Sequence, residues 1–305
     1  MSTLYAKTYG AWSSDPEGFW REAARAIDWH KPPETIFDPA AGVYGRWFPD
    51  AELNTCHNAL DRHVESGHGE RKAIVYDSPM AGAQRSYAYA EALSEVKALA
   101  GVIASLGVGK GDRVIIYMPM VPEAVFAMLA CARLGAVHSV VFGGFAAHEL
   151  ATRIDDSEAK LIVTASCGLE PGRIVAYKPL VDHAIDEAKH KPAKCLLLQR
   201  PELKAEMLAG RDVDYDAAMA EIRAKGAADT ACVPVAATDP LYVLYTSGTT
   251  GQPKGVVRDN GGHAVALAWS LKNVFGIEPG DVFWAASDIG WVVGHSYIVY
   301  GPLLY

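Results

Sequence analysis

Between Tyr245 and Gly255 the chain combines side chains that can hold a run of phosphate groups. Two glycines alternate with four hydroxyl residues, and a lysine follows: Thr246, Ser247, Gly248, Thr249, Thr250, Gly251 and Lys254. Glycines let backbone N–H groups approach a phosphate, hydroxyls add hydrogen bonds, and lysine supplies positive charge. An apolar run at 241–245 precedes them and predicts a buried strand. Since α/β sheets bind ligands at the carboxyl ends of strands, a phosphate-binding loop is predicted here.

Three interpretations of this loop, 246–254, compete on the residues alone. It could be a solvated Gly/Thr hairpin without a ligand, in which Lys254 is an ordinary surface lysine. A Walker-type loop needs Gly-Lys-Ser/Thr in sequence and a following helix, but Gln252 and Pro253 interrupt that order and a strand-like run follows. The third interpretation is the phosphate loop of an adenylate-forming enzyme.

Strands and helices alternate from about residue 70, which predicts βαβ units and the α/β fold class. The apolar run 113–117 predicts a strand buried on both faces, and 121–133 predicts a helix with Gly135 just past its end. A helix at 16–27 precedes this region, and 200–238 is charged and Ala-rich, as in a helical insertion with a linker. Further strands are predicted at 137–142, 160–164, 195–198, 256–258 and 282–286, and further helices at 146–153, 177–189 and 261–274.

Composition excludes several classes of function. The chain has 305 residues and a net charge of −8, so a nucleic-acid surface is not expected. Its five cysteines are widely spaced without a CxxC pair, which indicates a reducing compartment and no zinc site. The N-terminus shows no secretory signal, and the longest apolar stretch, 121–134, is interrupted and short of the roughly 20 residues that span a membrane. A cytoplasmic protein with no bound metal, membrane or nucleic acid is expected.

Several segments identify a family. YTSGTTGQPKGVV resembles the signature loop of the acyl-adenylate-forming superfamily. GDRVIIYMPMVPEAVFAMLACARLGAVHSVVFGGF and SDIGWVVGHSYIVYGPL resemble acetyl- and propionyl-CoA synthetases, and the likeness runs from about residue 9 to residue 304. VVRDNGGH together with WVVGHSY is more similar to the propionyl-CoA than to the acetyl-CoA enzymes, which usually have His after the two valines and Thr in place of Val293.

The resemblance implies a ligase that uses ATP, Mg²⁺ and CoA to activate propionate, or alternatively acetate, through an acyl-AMP. It assigns the β- and γ-phosphates to the 246–254 loop, with Lys254 as the catalytic cation. It assigns a carboxylate pocket to Trp291, Val292, Val293, Gly294 and His295. It assigns CoA contacts to Phe142, Gly143, Gly144, Phe145, Glu170, Pro171, Gly172 and Arg173, although acetyl-CoA synthetases have a second arginine where this chain has Glu170.

Each assignment has a simpler alternative. His295 could be a hydrogen-bonded core histidine, and Arg173 could pair with a carboxylate such as Asp156. The glycines between Phe142 and Phe145 could serve only a tight turn. Cys131 and Cys167 are expected to be small core residues.

The predicted organisation is a 1–62 segment of acetyl/propionyl-CoA synthetase type and an AMP-binding domain from 63 to 305. Its architecture should be the parallel-sheet βαβ layers of the large N-terminal domain of adenylate-forming enzymes. The magnesium-associated motif, ribose-binding aspartate, hinge and small C-terminal domain that the resemblance implies do not occur in these residues. We therefore expect an N-terminal fragment without activity of its own, or else a non-catalytic nucleotide- or CoA-binding module. The oligomeric state is not predicted.

Overall fold

The computed structural model describes residues 3–246 and 253–305. The strands are β1 (Phe37–Asp38), β2 (Arg46–Trp47), β3 (Glu52–Leu53), β4 (Lys72–Ser78), β5 (Ala83–Ala88), β6 (Arg113–Tyr117), β7 (Val137–Val140), β8 (Leu161–Ala165), β9 (Cys167–Glu170), β10 (Arg173–Ala176), β11 (Lys194–Leu198), β12 (Asp212–Asp214), β13 (Val235–Ala236), β14 (Pro240–Thr246) and β15 (Lys254–Asp259).

The helices are α1 (Leu4–Ser14), α2 (Pro16–Ala23), α3 (Tyr89–Ser105), α4 (Pro122–Leu134), α5 (Ala147–Ser157), α6 (Tyr177–Glu187), α7 (Tyr215–Ala224), α8 (Gly261–Ser270), α9 (Val292–Gly294) and α10 (Gly301–Leu304). A 3₁₀ turn spans Ala24–Ala26, and π-helical turns span His57–Asp61, Val64–His68, Leu271–Phe275 and His295–Tyr300.

A seven-stranded sheet in the order β12-β11-β8-β6-β7-β14-β15 organises the chain. Its strands pair in parallel except for β14 and β15, which form an antiparallel hairpin. The prediction of an α/β fold with a parallel sheet is therefore confirmed. In the described ranges the edges are β12 and β15. The predicted strand at 282–286 is wrong: those residues form no strand, and Val282 and Trp284 are about four-fifths exposed (78% and 81%).

Strand β6 shows why the apolar runs become central strands. Val114 and Ile116 face the core shared with α3 and α4, whereas Ile115 and Tyr117 face the core shared with α5 and α6. Helices thus cover both faces, so all four positions after Arg113 carry buried apolar or aromatic side chains. The connection after β6 passes through α4 on one face, and those after β7 and β8 pass through α5 and α6 on the other. The chain therefore leaves the carboxyl ends of β6 and β7 toward opposite faces of the sheet, and α/β sheets bind ligands in the crevice between two such connections.

The N-terminal segment lies along this domain and shares its main core. Ile27, Phe48 and Leu53 belong to the same buried cluster as α3 and α4. The amide of Asn54 donates to the carbonyl oxygens of Ala132 and Val233 at 3.0 and 2.8 Å, which fastens the segment to the end of α4. The predicted helix at 16–27 is shorter, since α2 ends at Ala23 in a 3₁₀ turn.

Candidate active site

The turn after β7, residues 142–145, is fixed by the neighbouring strand. Tyr117 ends β6, and its hydroxyl donates to the carbonyl oxygens of Gly143 (3.2 Å) and Phe145 (2.9 Å). Tyr117 is fully buried. The carboxyl ends of β6 and β7 therefore hold one turn between them.

A second tyrosine packs directly against the glycines of this region. A Cβ atom on Gly143 would collide with the hydroxyl of Tyr177, and one on Gly168 would lie 2.8 Å from the Tyr177 ring. The rings of Tyr117 and Tyr177 lie 5.0 Å apart. Because Gly168 belongs to β9, Tyr177 joins the β9–β10 hairpin to the 142–145 turn, and both glycines are required by close packing.

The β9–β10 hairpin carries the second predicted CoA segment. Glu170 and Arg173 face each other across the turn of Pro171 and Gly172, where Gly172 has φ +75°. The Arg173 guanidinium forms a 2.5 Å ion pair with the Glu170 carboxylate, and both side chains are exposed to solvent. The alternative in which Arg173 pairs with a nearby carboxylate is therefore found, but with Glu170 as the partner rather than Asp156, whose carboxylate accepts the Tyr245 hydroxyl at 2.6 Å. Exposed ion pairs of this kind stabilise a fold little.

The segment 288–295 forms a tight turn before α9. The Asp288 carboxylate accepts the Gly290 N–H at 2.7 Å, and the Asp288 carbonyl accepts the Trp291 N–H at 3.0 Å. A Cβ atom on Gly294 would collide with that same carbonyl, so glycine is required there. Burial raises the pKa of the Asp288 carboxyl group.

Trp291 brings two predicted groups together. Its ring lies 5.6 Å from the Phe142 ring and 6.2 Å from the Phe145 ring. Val292 and Val293 follow at the surface, and all three side chains are 43–45% exposed. The segment predicted to bind the carboxylate and the turn predicted to bind CoA therefore meet at the carboxyl edge of the sheet.

His295 lies behind this surface. Its ring is fully buried and lies 4.5 Å from the Tyr242 ring and 5.6 Å from the His138 ring. Its Nδ1 lies 3.0 Å from the Trp291 carbonyl oxygen, and burial lowers its pKa to about 4, which keeps the ring neutral at pH 7. The structure thus places His295 in the core, as its alternative interpretation expects, where it supports Trp291 from beneath.

The ends of the 246–254 loop lie side by side. Thr246 ends β14 and pairs in register with Lys254, which begins β15 and is exposed. Ser247, Gly248, Thr249, Thr250 and Gly251 lie outside the described residues. The strand that follows Lys254 contradicts a Walker-type loop, which needs a helix there. The loop leaves the same edge of the sheet as the 142–145 turn.

Comparison with known families identifies the chain. The model of the family described as AMP-binding enzyme matches residues 60–305, and that of the acetyl-coenzyme A synthetase N-terminus matches residues 5–59. The chain belongs to the AMP-binding enzyme family. The boundary between the two matches falls within the π-helical turn His57–Asp61.

Relatives of the chain include proteins named as a short-chain acyl-CoA synthetase and a propionate–CoA ligase. The chain is 54% identical to an uncharacterized protein of Pseudomonas aeruginosa, covering 98% of this chain and 47% of that protein. It is 52% identical to the human mitochondrial acyl-CoA synthetase short-chain family member 3 (99% of this chain, 43% of that protein). It is 48% identical to propionate–CoA ligase of Escherichia coli (98% and 47%). The chain spans about half the length of the curated relatives it matches.

Groups of side chains that could bind a metal ion lie elsewhere in the described part of the chain. The described ranges contain two such groups of three, Cys56–Asp61–Cys232 and His57–Asp61–Glu65. The Arg133 guanidinium binds both oxygens of Asp61, at 2.8 and 3.1 Å, from the end of α4 that leads into the amino end of β7. Thiols and a guanidinium do not suit Mg²⁺, which prefers carboxylate and phosphate oxygens. Across residues 3–246 and 253–305, no helix has the length and apolarity to cross a membrane.

Four residues that shape the edge were not predicted from the sequence: Tyr117, Arg153, Tyr177 and Asp288. Only Arg153 left a signal in the sequence. It falls at a buried position of the amphipathic helix α5, between Leu150 and Ile154, where an arginine is unusual. The contacts of the two tyrosines join residues 9 to 60 positions apart, so no local pattern reveals them.

Proposed function

We propose that this AMP-binding enzyme activates a short carboxylic acid with ATP and transfers the acyl group to CoA, with propionate preferred over acetate. The contact of Trp291 with Phe142 carries the proposal, because it unites the segment assigned to the acid with the turn assigned to CoA. The names of the human and Escherichia coli relatives support the same reaction class. A module that only binds nucleotide would not need the acid-binding segment at this contact.

The first step is the attack of a carboxylate oxygen on the α-phosphorus of ATP. The bond to the bridging oxygen breaks, so acyl-AMP forms and pyrophosphate leaves. Lys254 and the hydroxyls of the 246–251 loop would bind the departing phosphates and stabilise their growing charge. Mg²⁺ would enter with the ATP phosphates as part of the substrate, since the metal-ligand groups among the described residues do not fit it.

The second step is the attack of the CoA sulfur on the acyl carbon, with AMP as the leaving group. The Gly143–Gly144 backbone would allow the CoA chain a close approach, and Arg173 would contact its nucleotide phosphates. Arg173 already pairs with Glu170, so the phosphate must compete for the guanidinium or share it. This competition would weaken CoA binding, and Glu170→Gln should strengthen it.

The preference for propionate rests on Val292 and Val293. A pocket wall of two valines gains about 1–3 kcal/mol from one extra methylene in the substrate. The longest natural polypeptide that carries these residues is called the full-length protein below. In the full-length protein, kcat/KM should be higher for propionate than for acetate, and lower for butyrate than for propionate. A higher kcat/KM for acetate would contradict the assignment.

We further propose that a polypeptide limited to these 305 residues makes little thioester. Trp291, Val292 and Val293 are nearly half exposed, and charge stabilisation is weak beside bulk water. Assaying that polypeptide and the full-length protein for AMP and thioester tests this point. Turnover of the polypeptide within about tenfold of the full-length protein would contradict it.

A further inference from the structure

Arg153 is a charged side chain held inside the domain. It lies on the buried face of α5 and is 3% exposed. Its Nη1 donates to the Glu149 carboxylate at 2.8 Å, one turn earlier on the same helix. Burying a charged group is costly, and the Glu149 carboxylate is itself 44% exposed, so this pair alone does not account for a guanidinium held inside the domain.

Two aromatic rings also contact the guanidinium. The Arg153 guanidinium carbon lies 4.7 Å from the centre of the Phe145 ring and 5.5 Å from the centre of the Tyr245 ring. Both distances fall within the range of cation–π attraction, which is stronger where water is excluded. Phe145 belongs to the turn after β7, and Tyr245 directly precedes Thr246 on β14. One guanidinium therefore contacts the exits of two neighbouring strands.

The same helix binds Tyr245 a second time. The Tyr245 hydroxyl donates to the Asp156 carboxylate at 2.6 Å, and the tyrosine side chain is buried. Asp156 follows Arg153 by three residues, so both partners of Tyr245 lie on neighbouring turns of α5. Helix α5 thus holds the side chain of Tyr245, next to the residue at which β14 ends and the 246–254 loop begins.

Contacts continue from Phe145 to the segment assigned to the acid. The Phe145 ring lies 5.7 Å from Phe142 and 6.2 Å from Trp291. Arg153 therefore contacts two things at once: Tyr245, next to the start of the 246–254 loop, and Phe145 of the 142–145 turn. Phe145 in turn contacts Trp291 of the segment assigned to the acid.

We propose that Arg153 is a positioning residue that couples the phosphate loop to the CoA turn, so that ATP and CoA sites share one support. This proposal rests on the proposed function. The planar guanidinium can lie over two rings at once, whereas the compact ammonium of lysine cannot. Arg153→Lys should therefore behave more like Arg153→Met than like the wild type.

The test compares Arg153→Met and Arg153→Lys with the wild type in the full-length protein. Dissociation constants for ATP and for CoA are measured separately by titration calorimetry, and KM and kcat are measured in each half-reaction. Both dissociation constants should rise together by about tenfold in both variants, the size expected when a desolvated cation–π contact is lost. Arg133→Met is the matched control, because Arg133 is equally buried and carboxylate-bound but lies at the opposite edge of the sheet.

The control should lower the unfolding temperature and leave both dissociation constants unchanged. If the Arg153 variants also change only the unfolding temperature, Arg153 is merely structural and the proposal is wrong. The proposal is equally wrong if one dissociation constant rises alone, or if lysine restores both. A wild type that binds ATP and CoA but forms no acyl-AMP would contradict the proposed function, and the dissociation constants would still decide the role of Arg153.

Discussion

The hydroxyl of Tyr177 occupies the space that a Cβ atom on Gly143 would need. Tyr177 begins α6, which follows the β9–β10 hairpin, and Gly143 lies in the turn after β7, so the contact joins two elements at the carboxyl edge of the sheet. The backbone of the turn is thereby kept in place for a ligand while it is supported from below by the Tyr117 hydroxyl.

Gly143→Ala should destabilise the protein and weaken its binding of CoA. The new methyl group forces Tyr177 or the turn to move, and overpacking of this kind costs about 1–3 kcal/mol. Urea unfolding and CoA titration measure the two effects. Gly10→Ala is the control, because that helical glycine has open space around its α-carbon. Equal effects of the two substitutions would show that Tyr177 does not constrain the turn.

Removal of one partner from the Arg133–Asp61 pair should lower the free energy of unfolding by about 3–5 kcal/mol, because it leaves a buried charge without compensation. The pair is bidentate, and its side chains are 2% and 9% exposed. Asp61→Asn tests this by chemical denaturation, with Glu158→Gln in the exposed Arg113–Glu158 pair as the control. The double variant Asp61→Leu/Arg133→Met should recover much of the loss. A cost for Asp61→Asn no greater than for the control would contradict the assignment.

Acidification below about pH 6.5 should destabilise the fold through its buried histidines. Burial lowers the pKa of His263 to about 3 and of His63 and His295 to about 4, from an ordinary 6.5. The unfolded chain therefore binds more protons below pH 6.5, so stability is complete above that pH and declines as the pH falls. At pH 5 each histidine should remove about 1–2 kcal/mol from the free energy of unfolding.

Denaturant titrations from pH 7.5 to pH 5 measure this slope. His63→Gln should reduce it, since glutamine can still donate to the Leu303 carbonyl but does not titrate. His148→Gln should not reduce it, because Glu187 raises the pKa of that exposed histidine. A stability that is flat down to pH 5 would contradict the burial of neutral histidines.

Lys254→Ala should slow acyl-AMP formation and spare the transfer of a supplied propionyl-AMP to CoA. Pyrophosphate charge develops only in the first step, and loss of one such cation costs about 100-fold or more. Release of pyrophosphate and formation of thioester are measured separately, with Lys225→Ala, directly after the remote helix α7, as the control. An equal loss in both half-reactions would assign Lys254 to the fold or to a shared step.

The sequence predicted the elements whose signals are local. Strand β6 has the predicted limits, and α4 ends at Leu134, directly before Gly135, whose φ of +67° is the left-handed conformation in which glycine commonly follows a helix. The prediction of a strand at 282–286 is wrong because a run of apolar residues forms a strand only where a neighbouring strand is available for pairing, and no strand in the described ranges pairs with these residues. Trp284 is instead 81% exposed.

The arrangement of the candidate site depends on contacts between distant residues. The 142–145 turn and the 291–295 segment were both predicted, but their union through Trp291 and Phe142 joins positions 149 residues apart. The partner of Arg173 is Glu170 rather than Asp156, because a hairpin sets those two side chains opposite each other. Arg153 and Tyr177 act through packing, which spacing along the chain does not encode.

The most direct test of the central claim is the fate of the carboxylate oxygen. The full-length protein is incubated with ATP, Mg²⁺, CoA and propionate that carries ¹⁸O in its carboxylate, and the products are analysed by mass spectrometry. If the carboxylate attacks the α-phosphorus, AMP gains one ¹⁸O atom and pyrophosphate gains none. Appearance of ¹⁸O in pyrophosphate or phosphate, or formation of ADP in place of AMP, would contradict activation through acyl-AMP.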